Sequence, residues 1–310
     1  MAGSVTQLEQ FLAERIKQNK GVMIPVKAGV LEQILVRKVP IDRIHPNPDD
    51  EFCIKGVGPS YRIIGEYEEQ IRRAQQYDEE PFKEPLIVEK VHPEGFMLLN
   101  GHHRWAAAMR AGLKKVPVKI VNLTQETNIE KMLQDSRHDR RVVFDLDEVI
   151  FRDENAPAVE RKLLFPYDRI FKERLKLGVP GLFHFFTKNG YDIWLYSKNY
   201  YSLDYLQQFF RKHHVKVDGI VTGTVRNKNR DTETGRRMAD IEKKVSDRYC
   251  VTIHIDNEYF MRIDSRTKAY EQYEVRGTDG DWSREVMEIM ERSILPLEQE
   301  NGKKDGVPGA

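Results

Sequence analysis

The chain has 310 residues, 40% of them hydrophobic, which is enough for one large domain or two of ordinary size. Its 50 Lys and Arg against 49 Asp and Glu leave a formal net charge of +1, which excludes a chain that is basic throughout, as nucleic-acid proteins often are, but leaves room for a local basic groove. The two cysteines, Cys53 and Cys250, lie far apart and exclude a disulfide framework or a cysteine zinc site; with no apolar signal core and no run of about 18 apolar residues, the expectation is a soluble chain in a reducing, cytoplasmic compartment with no membrane partner.

Leu8, Phe11, Leu12 and Ile16 recur at helical spacing and predict a helix over residues 5–18, stopped by Gly21. ILVRKVPIDRIHPNP reads as a strand running into a proline-punctuated loop, and YRIIGEYEEQIRRAQQY as a helix. PLIVEKV and GFMLLNG bracket a turn at residues 92–95, as two strands of a hairpin do, and RWAAAMRAG reads as a helix ended by Gly112 before the strand VPVKIV. Residues 39–121 are thus a small α+β unit, with residues 1–38 a helix and lead-in.

NLTQETNIEKMLQDSRHDRR is polar and charged, and residues 122–140 read as a linker. RVVFDLD, YDIWLYS and YCVTIHIDN then read as strands separated by helical patterns such as SLDYLQQFFRKHH. That alternation predicts an α/β domain over residues 141–296, with a parallel sheet whose ligands collect at the carboxyl ends of the strands. Residues 297–310 are polar and expected to be a disordered tail.

Two places carry chemistry. In LLNGHHRWAAAM, the adjacent His102 and His103 point about 100° apart on a helix and make a poor metal chelate. A strand end, Gly101, and then His103 and Arg104 at a helix amino terminus suit a phosphate cradle; an ordinary strand-turn-helix with a surface arginine suits the residue types equally. In the second half, Asp145 and Asp147 lie where an apolar strand breaks into a loop, while Ser197 and Asp256 end two other strands. These groups converge on one sheet edge and can attack phosphorus, hold a metal or move a proton. Trp194, Tyr196, Tyr200, Tyr201, Tyr205, Phe209 and Phe210 read as core rather than a base-stacking platform, and His213 and His214 end a helix with no chemistry assigned.

FDLDEVIF, LYSKN, RNKNR and HIDNE, in this order, resemble the motifs of the haloacid dehalogenase superfamily from residue 141 to about 294. The resemblance implies a Rossmann-like domain with a small cap or none. It also implies that Asp145 is a nucleophile forming an aspartyl phosphate, that Asp147 is the acid/base, and that Mg2+ lies between Asp145, the Asp147 carbonyl and Asp256. Ser197 would hydrogen-bond the phosphoryl group and a lysine would neutralise it; Lys228 is chosen, with Lys212, Lys243 and Lys244 as rivals. DLDE, VPGLFHFF and the Asp256-Asn257 pair are similar to the carboxy-terminal-domain phosphatases of RNA polymerase, which would put Asn257 beside the metal; Val149 and Glu258 depart from that branch. An open site of this kind admits phosphorylated small molecules, peptides and nucleic-acid ends.

VPIDRIHPNP, PLIVEKV, NGHHRWAAAMRAG and VPVKIV resemble the ParB and sulfiredoxin nucleotide-binding superfamily over residues 39–121. This implies nucleotide phosphates, of ATP, ADP or CTP, on the turn Gly101, His102, His103, Arg104. His102 replaces the sulfiredoxin cysteine, which excludes sulfinic acid reduction, and Gly-His-His-Arg is closer to the free serine kinases. Those kinases use an acidic base, which Asp49, Asp50 or Glu51 would supply. A partition protein would carry a helix-turn-helix domain next, and none follows here, so specific DNA binding is not expected. The combined expectation is a bifunctional Mg2+-dependent phosphohydrolase with a nucleotide-binding domain; a serine-type kinase and a nucleotide-sensing, nucleic-acid-associated regulator are the alternatives.

Overall fold

The computed structural model describes residues 7–19, 22–54, 56–153, 155–224 and 233–297, in two compact units. The first takes in the chain up to Leu123 with residues 200–204 and the described part of 225–239; the second takes in Thr124–Asn199, Tyr205–Thr224 and the chain from Asp240. The helices Leu203–Lys212 and Glu233–Arg248, grouped with the second unit, therefore begin in the first. No described helix is long and apolar enough to cross a membrane.

The first unit runs α1 (Gln7–Asn19), β1 (Ile24–Pro25), α2 (Val30–Ile34), β2 (Arg37–Pro40), β3 (Ile44–Pro46), α3 (Tyr61–Tyr77), β4 (Leu86–His92), β5 (Phe96–Asn100), α4 (His102–Arg110) and β6 (Lys115–Ile120). Its mixed sheet has the order β2-β6-β4-β5-β3, with β1 pairing the end of β4. The hairpin of β4 and β5 and the helix α3 form where the sequence pattern places them. The single strand expected over ILVRKVPIDRIHPNP is instead two, separated by a 3-10 turn at Ile41–Arg43. Pro40 and Pro46 have no N–H to donate and end each short strand.

The core packs Ile64 and Ile71 of α3 against Ala106, Ala107 and Ala108 of α4, all fully buried, over Leu86, Val88, Val116 and Val118 of the sheet. Three alanines in succession let α3 and α4 approach closely. Leu12 and Ala28 belong to the same core, so α1 and the segment at Ala28, within the lead-in expected over residues 1–38, are an integral part of this unit.

The second unit runs α5 (Glu126–Asp135), β7 (Arg140–Asp145), β8 (Phe151–Arg152), α6 (Tyr167–Ile170), β9 (Arg174–Leu175), α7 (Val179–Lys188), β10 (Asp192–Tyr196), α8 (Leu203–Lys212), β11 (Gly219–Val221), α9 (Glu233–Arg248), β12 (Val251–Ile255), β13 (Tyr259–Asp264), β14 (Tyr270–Glu274) and α10 (Trp282–Ile289). The expected linker over residues 122–140 therefore contains a helix: α5 buries Ile129 completely, and Lys244 pairs with its Glu126 and Glu130. Its charges are a solvated face around one apolar anchor.

The sheet order is β11-β10-β7-β12-β13-β14. The first four strands are parallel, as the alternation predicts, and β13 and β14 add antiparallel strands at one edge. Phe144 packs on Phe183 and Phe186 of α7, with ring centroids at 5.2 and 6.0 Å. Each aromatic buried in this way contributes about 1.5–3 kcal/mol. Trp194, Phe209 and Phe210 are buried with them.

Candidate functional site

The first unit contains a cavity of about 1160 Å³. Asn100, Gly101, His102, His103 and Arg104 line it from the β5–α4 turn, residues 50–52 and 57–60 from the preceding loop, and Tyr67, Gln70, Phe82, Lys83 and Glu84 from α3 and the segment beyond it. Gly101 sits at φ +100°, where a Cβ would meet Leu86 at 2.6 Å, so the turn requires glycine. The same Cβ would lie 3.1 Å from Arg104 Nη2, so the missing side chain also leaves room for the guanidinium to fold across the turn.

Each histidine is tied to the preceding loop through its Nε2. His102 is only 3% exposed; its Nε2 accepts a hydrogen bond from the Asn47 N–H at 3.2 Å, and its Nδ1 lies 3.4 Å from Asp50 Oδ2. His103 Nε2 accepts from the Ser60 N–H at 3.1 Å, and its ring meets the Phe52 ring edge-on at 4.9 Å. Burial holds the His103 pKa below the usual histidine value, with the Asp50 charge opposing it. Both imidazoles thus staple the loop over residues 47–60 to the start of α4 through acceptor nitrogens. Arg104 Nη1 donates to the Glu84 carbonyl at 2.6 Å, while Nη2 and Nε have no hydrogen bond among the described residues. Those two nitrogens, the Lys83 ammonium that also lines the cavity, the Nδ1–H that His103 carries while its Nε2 accepts, and the open N–H groups of the first turn of α4 are donors the described residues of the site can offer an anion.

Of the three acidic candidates, Asp50 caps the turn at Phe52 N with one oxygen and faces His102 with the other. Asp49 does not line the cavity, which leaves Glu51, an exposed lining residue.

In the second unit, strand register decides what meets. Tyr196 pairs with Asp145, and Phe144 with Ile255, so Ser197, Asp145 and Asp256 end three adjacent parallel strands. Asp145 Oδ1 accepts from Asp147 N at 2.8 Å and Glu148 N at 2.9 Å, while Oδ2 has no hydrogen bond among the described residues. Burial raises the Asp145 pKa, and the Asp147 and Glu148 charges raise it further against these two hydrogen bonds.

Asp147 turns toward the β10 loop. Its carboxylate accepts from Ser197 Oγ at 3.0 Å, Lys198 N at 2.7 Å, and Asn199 N and Nδ2 at 3.3 and 2.9 Å. The Ser197 hydroxyl is therefore spent on Asp147 rather than presented to a phosphoryl group. Lys198, paired with Glu148 and 47% exposed, is a cation near both carboxylates that the sequence reading passed over inside LYSKN.

Asn257 does not present an oxygen to a metal. Its Oδ1 accepts from Arg152 at 2.8 Å and Lys176 at 2.9 Å, filling both lone pairs, and its Nδ2 donates to the Glu148 carbonyl at 2.9 Å. Lys228 lies outside the described residues. Of its rivals, Lys212 stacks on Tyr167 at 3.9 Å, Lys244 is paired on α5, and Lys243 is exposed. Lys176 was missed; a lysine inside the apolar run LKLGVPGLF was the available signal. Among the described residues no group of three or more His, Cys, Asp or Glu side chains gathers as a metal cage. Two carboxylates on neighbouring strand ends, completed by a carbonyl and water, are a hard-oxygen donor set of the kind that suits Mg2+ rather than Zn2+.

The sequence profile of the ParB N-terminal domain matches residues 64–137, from within α3 through β6 and across α5. That match ends before β7. A chromosome-partitioning protein ParB of Myxococcus xanthus is 30% identical over 120 residues, which are 37% of this chain and 32% of that protein, so the chain spans about a third of the length of the curated relative it matches. Among solved structures, Caulobacter crescentus ParB with CTP-γ-S is 25% identical, covering 34% of this chain and 56% of that one at a TM-score of 0.24. The same protein on centromeric parS is 24% identical, covering 32% and 46% at 0.22. A mutant free serine kinase in complex with AMP is 16% identical, covering 87% and 85% at 0.23.

Proposed function

We propose that the first unit binds a nucleotide in its 1160 Å³ cleft, with the phosphates on Gly101 to Arg104. The observation that carries this reading is the pair of unengaged Arg104 nitrogens lying across the glycine turn at the open end of α4. Tyr67 and Phe82, farther along the cleft, offer apolar surface for a base. The ParB profile match agrees with the superfamily resemblance that implies nucleotide phosphates on this turn, so ATP, ADP and CTP are all to be tried. Calorimetric titration of the full chain with each nucleotide, then of R104A, tests it; undiminished binding by R104A would overturn the phosphate assignment.

A second reading is favoured by a separate observation, the unengaged Asp145 Oδ2 at the end of the central strand. On this reading the second unit hydrolyses phosphate monoesters. Asp145 Oδ2 attacks phosphorus, the ester P–O bond breaks, and Asp147 gives a proton to the departing alcohol. Water then attacks, its proton passes to Asp147, the P–O bond to Asp145 breaks, and inorganic phosphate leaves. Asp147 must release a hydrogen bond to Ser197 or Asn199 to do so. Asp145, the Asp147 carbonyl and Asp256 would hold Mg2+, whose charge offsets that of the phosphate oxygens. Hydrolysis of p-nitrophenyl phosphate with Mg2+, lost in D145N, tests this reading. Kinase chemistry in the cleft, by contrast, would rest on Glu51, and nucleotide-dependent phosphorylation of serine that survives E51Q would reject that base.

A further inference from the structure

Lys176 is the least expected side chain in the second unit. It is 1% exposed, and a buried ammonium is costly unless its surroundings repay it. Its Nζ lies 2.9 Å from Asn257 Oδ1, 3.4 Å from Asp279, and 4.1 Å from the Trp282 ring centroid. Arg152 converges on the same groups, 2.8 Å from Asn257 Oδ1 and 3.4 Å from Asp279, while its other nitrogen donates to the Glu148 carbonyl at 2.8 Å.

Two of these contacts, Asn257 and Trp282, lead back to Asp256. The Asn257 N–H donates to Asp256 Oδ1 at 2.5 Å, and Trp282 Nε1 donates to the Asp256 carbonyl at 3.1 Å. The Lys176 backbone N–H is bound to the Ile150 carbonyl at the end of the turn that follows Asp145. Gly178, two residues on, stands at φ +83°, where a Cβ would fall 1.9 Å from Ser283 Oγ, so the lysine is delivered by a chain pressed against α10. Asp279, the formal counter-charge in direct contact among the described residues, is 51% exposed, so ion pairing alone is a poor reason to bury this amine.

We propose that Lys176 and Arg152 are positioning residues: they clamp Asn257 and, through it, hold Asp256 in register with Asp145 so that the two carboxylates together bind a divalent cation. This rests on the phosphohydrolase reading of the second unit. It differs from a charge-neutralising role, because both cations point at Asn257 and Asp279. The two roles predict opposite signs. By Coulomb's law alone, deleting a nearby positive charge tightens cation binding; loss of a clamp loosens it, by about tenfold or more for such supporting residues.

The experiment is Mn2+ binding to the full chain, read by electron paramagnetic resonance without substrate, for wild type, K176M, K176R, R152Q and D256N. The expected result is wild-type binding, loss in D256N, at least about tenfold weaker binding in K176M, and recovery to within about threefold in K176R. R152Q, at a side chain already 20% exposed, weakens binding less but in the same direction, and decides the matter if K176M fails to fold. Equal or tighter binding in folded K176M, or in R152Q if K176M is unfolded, overturns the clamp while leaving the cation site standing. No Mn2+ binding by wild type overturns the site and the clamp with it.

Discussion

The two candidate sites solve different problems with the same backbone device, a turn at the carboxyl end of a strand. The cleft of the first unit is roomy, and its anion-binding capacity lies in backbone N–H groups, Arg104 and Lys83, while its two histidines are tied to the preceding loop through their Nε2 atoms. The strand edge of the second unit is denser, with Asp147 committed to Ser197 and Asn257 to Arg152 and Lys176. A roomy cleft whose lining mixes Asp50, Glu51 and Glu84 with Lys83 and Arg104 suits a ligand that brings its own shape. A crowded set of carboxylates suits a small group that is held and transformed.

The strongest way to break that contrast is D145N. If the second site transforms phosphate, the substitution lowers Mg2+-dependent hydrolysis by at least about a thousandfold, as nucleophile removal does elsewhere. Asn at this position can still accept from the Asp147 and Glu148 N–H groups, so the melting temperature should not fall. Nucleotide binding in the first unit should be unchanged. Loss of both properties together would erase the distinction between the sites.

Next in size is R104A. Charge-assisted hydrogen bonds of about 1.5–3 kcal/mol correspond to roughly 10–100-fold in nucleotide affinity, read by titration. Hydrolysis of p-nitrophenyl phosphate, the readout of the reading proposed for the second unit, is the control and should not change. A smaller effect is expected of H102A on direct phosphate contact, because that ring is buried and faces Asn47 and Asp50, although it loosens the loop.

These contrasts also explain what could be read in the chain beforehand. α3, the hairpin of β4 and β5, and the parallel core strands follow from periodicity and from Gly and Pro punctuation, which act over a few residues. The split of β2 from β3 was written in Pro40 and Pro46 but hidden by the apolar residues around them. α5 resembles a linker in the sequence because one buried Ile129 among charges gives almost no periodic signal. In the sites, the residue types and the strand ends were legible. The allegiances of His102, His103, Ser197 and Asn257 were not, because each is decided by a partner 43 to 109 residues away in the chain. Lys176 escaped for a related reason, since burial of a lysine is a tertiary fact that no local pattern announces.

G101A probes whether the first turn is built for the ligand or for the fold. Alanine at φ +100° costs about 1–3 kcal/mol in strain, and its Cβ presses on Leu86, so the melting temperature of the first unit falls by several degrees. If stability is unchanged, the turn has another conformation available and the cradle is not preformed.

The smallest effect comes from His103, and its sign is fixed by its role as acceptor. Its folded pKa lies below the unfolded value of about 6.5, so the unfolded chain binds more protons in the window between them. The stability contributed by the Ser60 N–H bond to the neutral ring is therefore fully present above about pH 6.5 and is lost as the pH falls through the folded value. His45, His213 and His254 are also lowered by burial and bend the whole-chain profile the same way, so only a difference measurement isolates His103. H103Q compared with wild type from pH 7.5 down to 5 should cost about 0.5–1.5 kcal/mol at the upper end and progressively less toward the lower. A constant gap across that range would mean that the ring is held by packing on Phe52 rather than by its lone pair. A gap that widens on acidification would mean that the ring works as a charged donor, and His103 would then belong to the anion-binding surface together with Arg104.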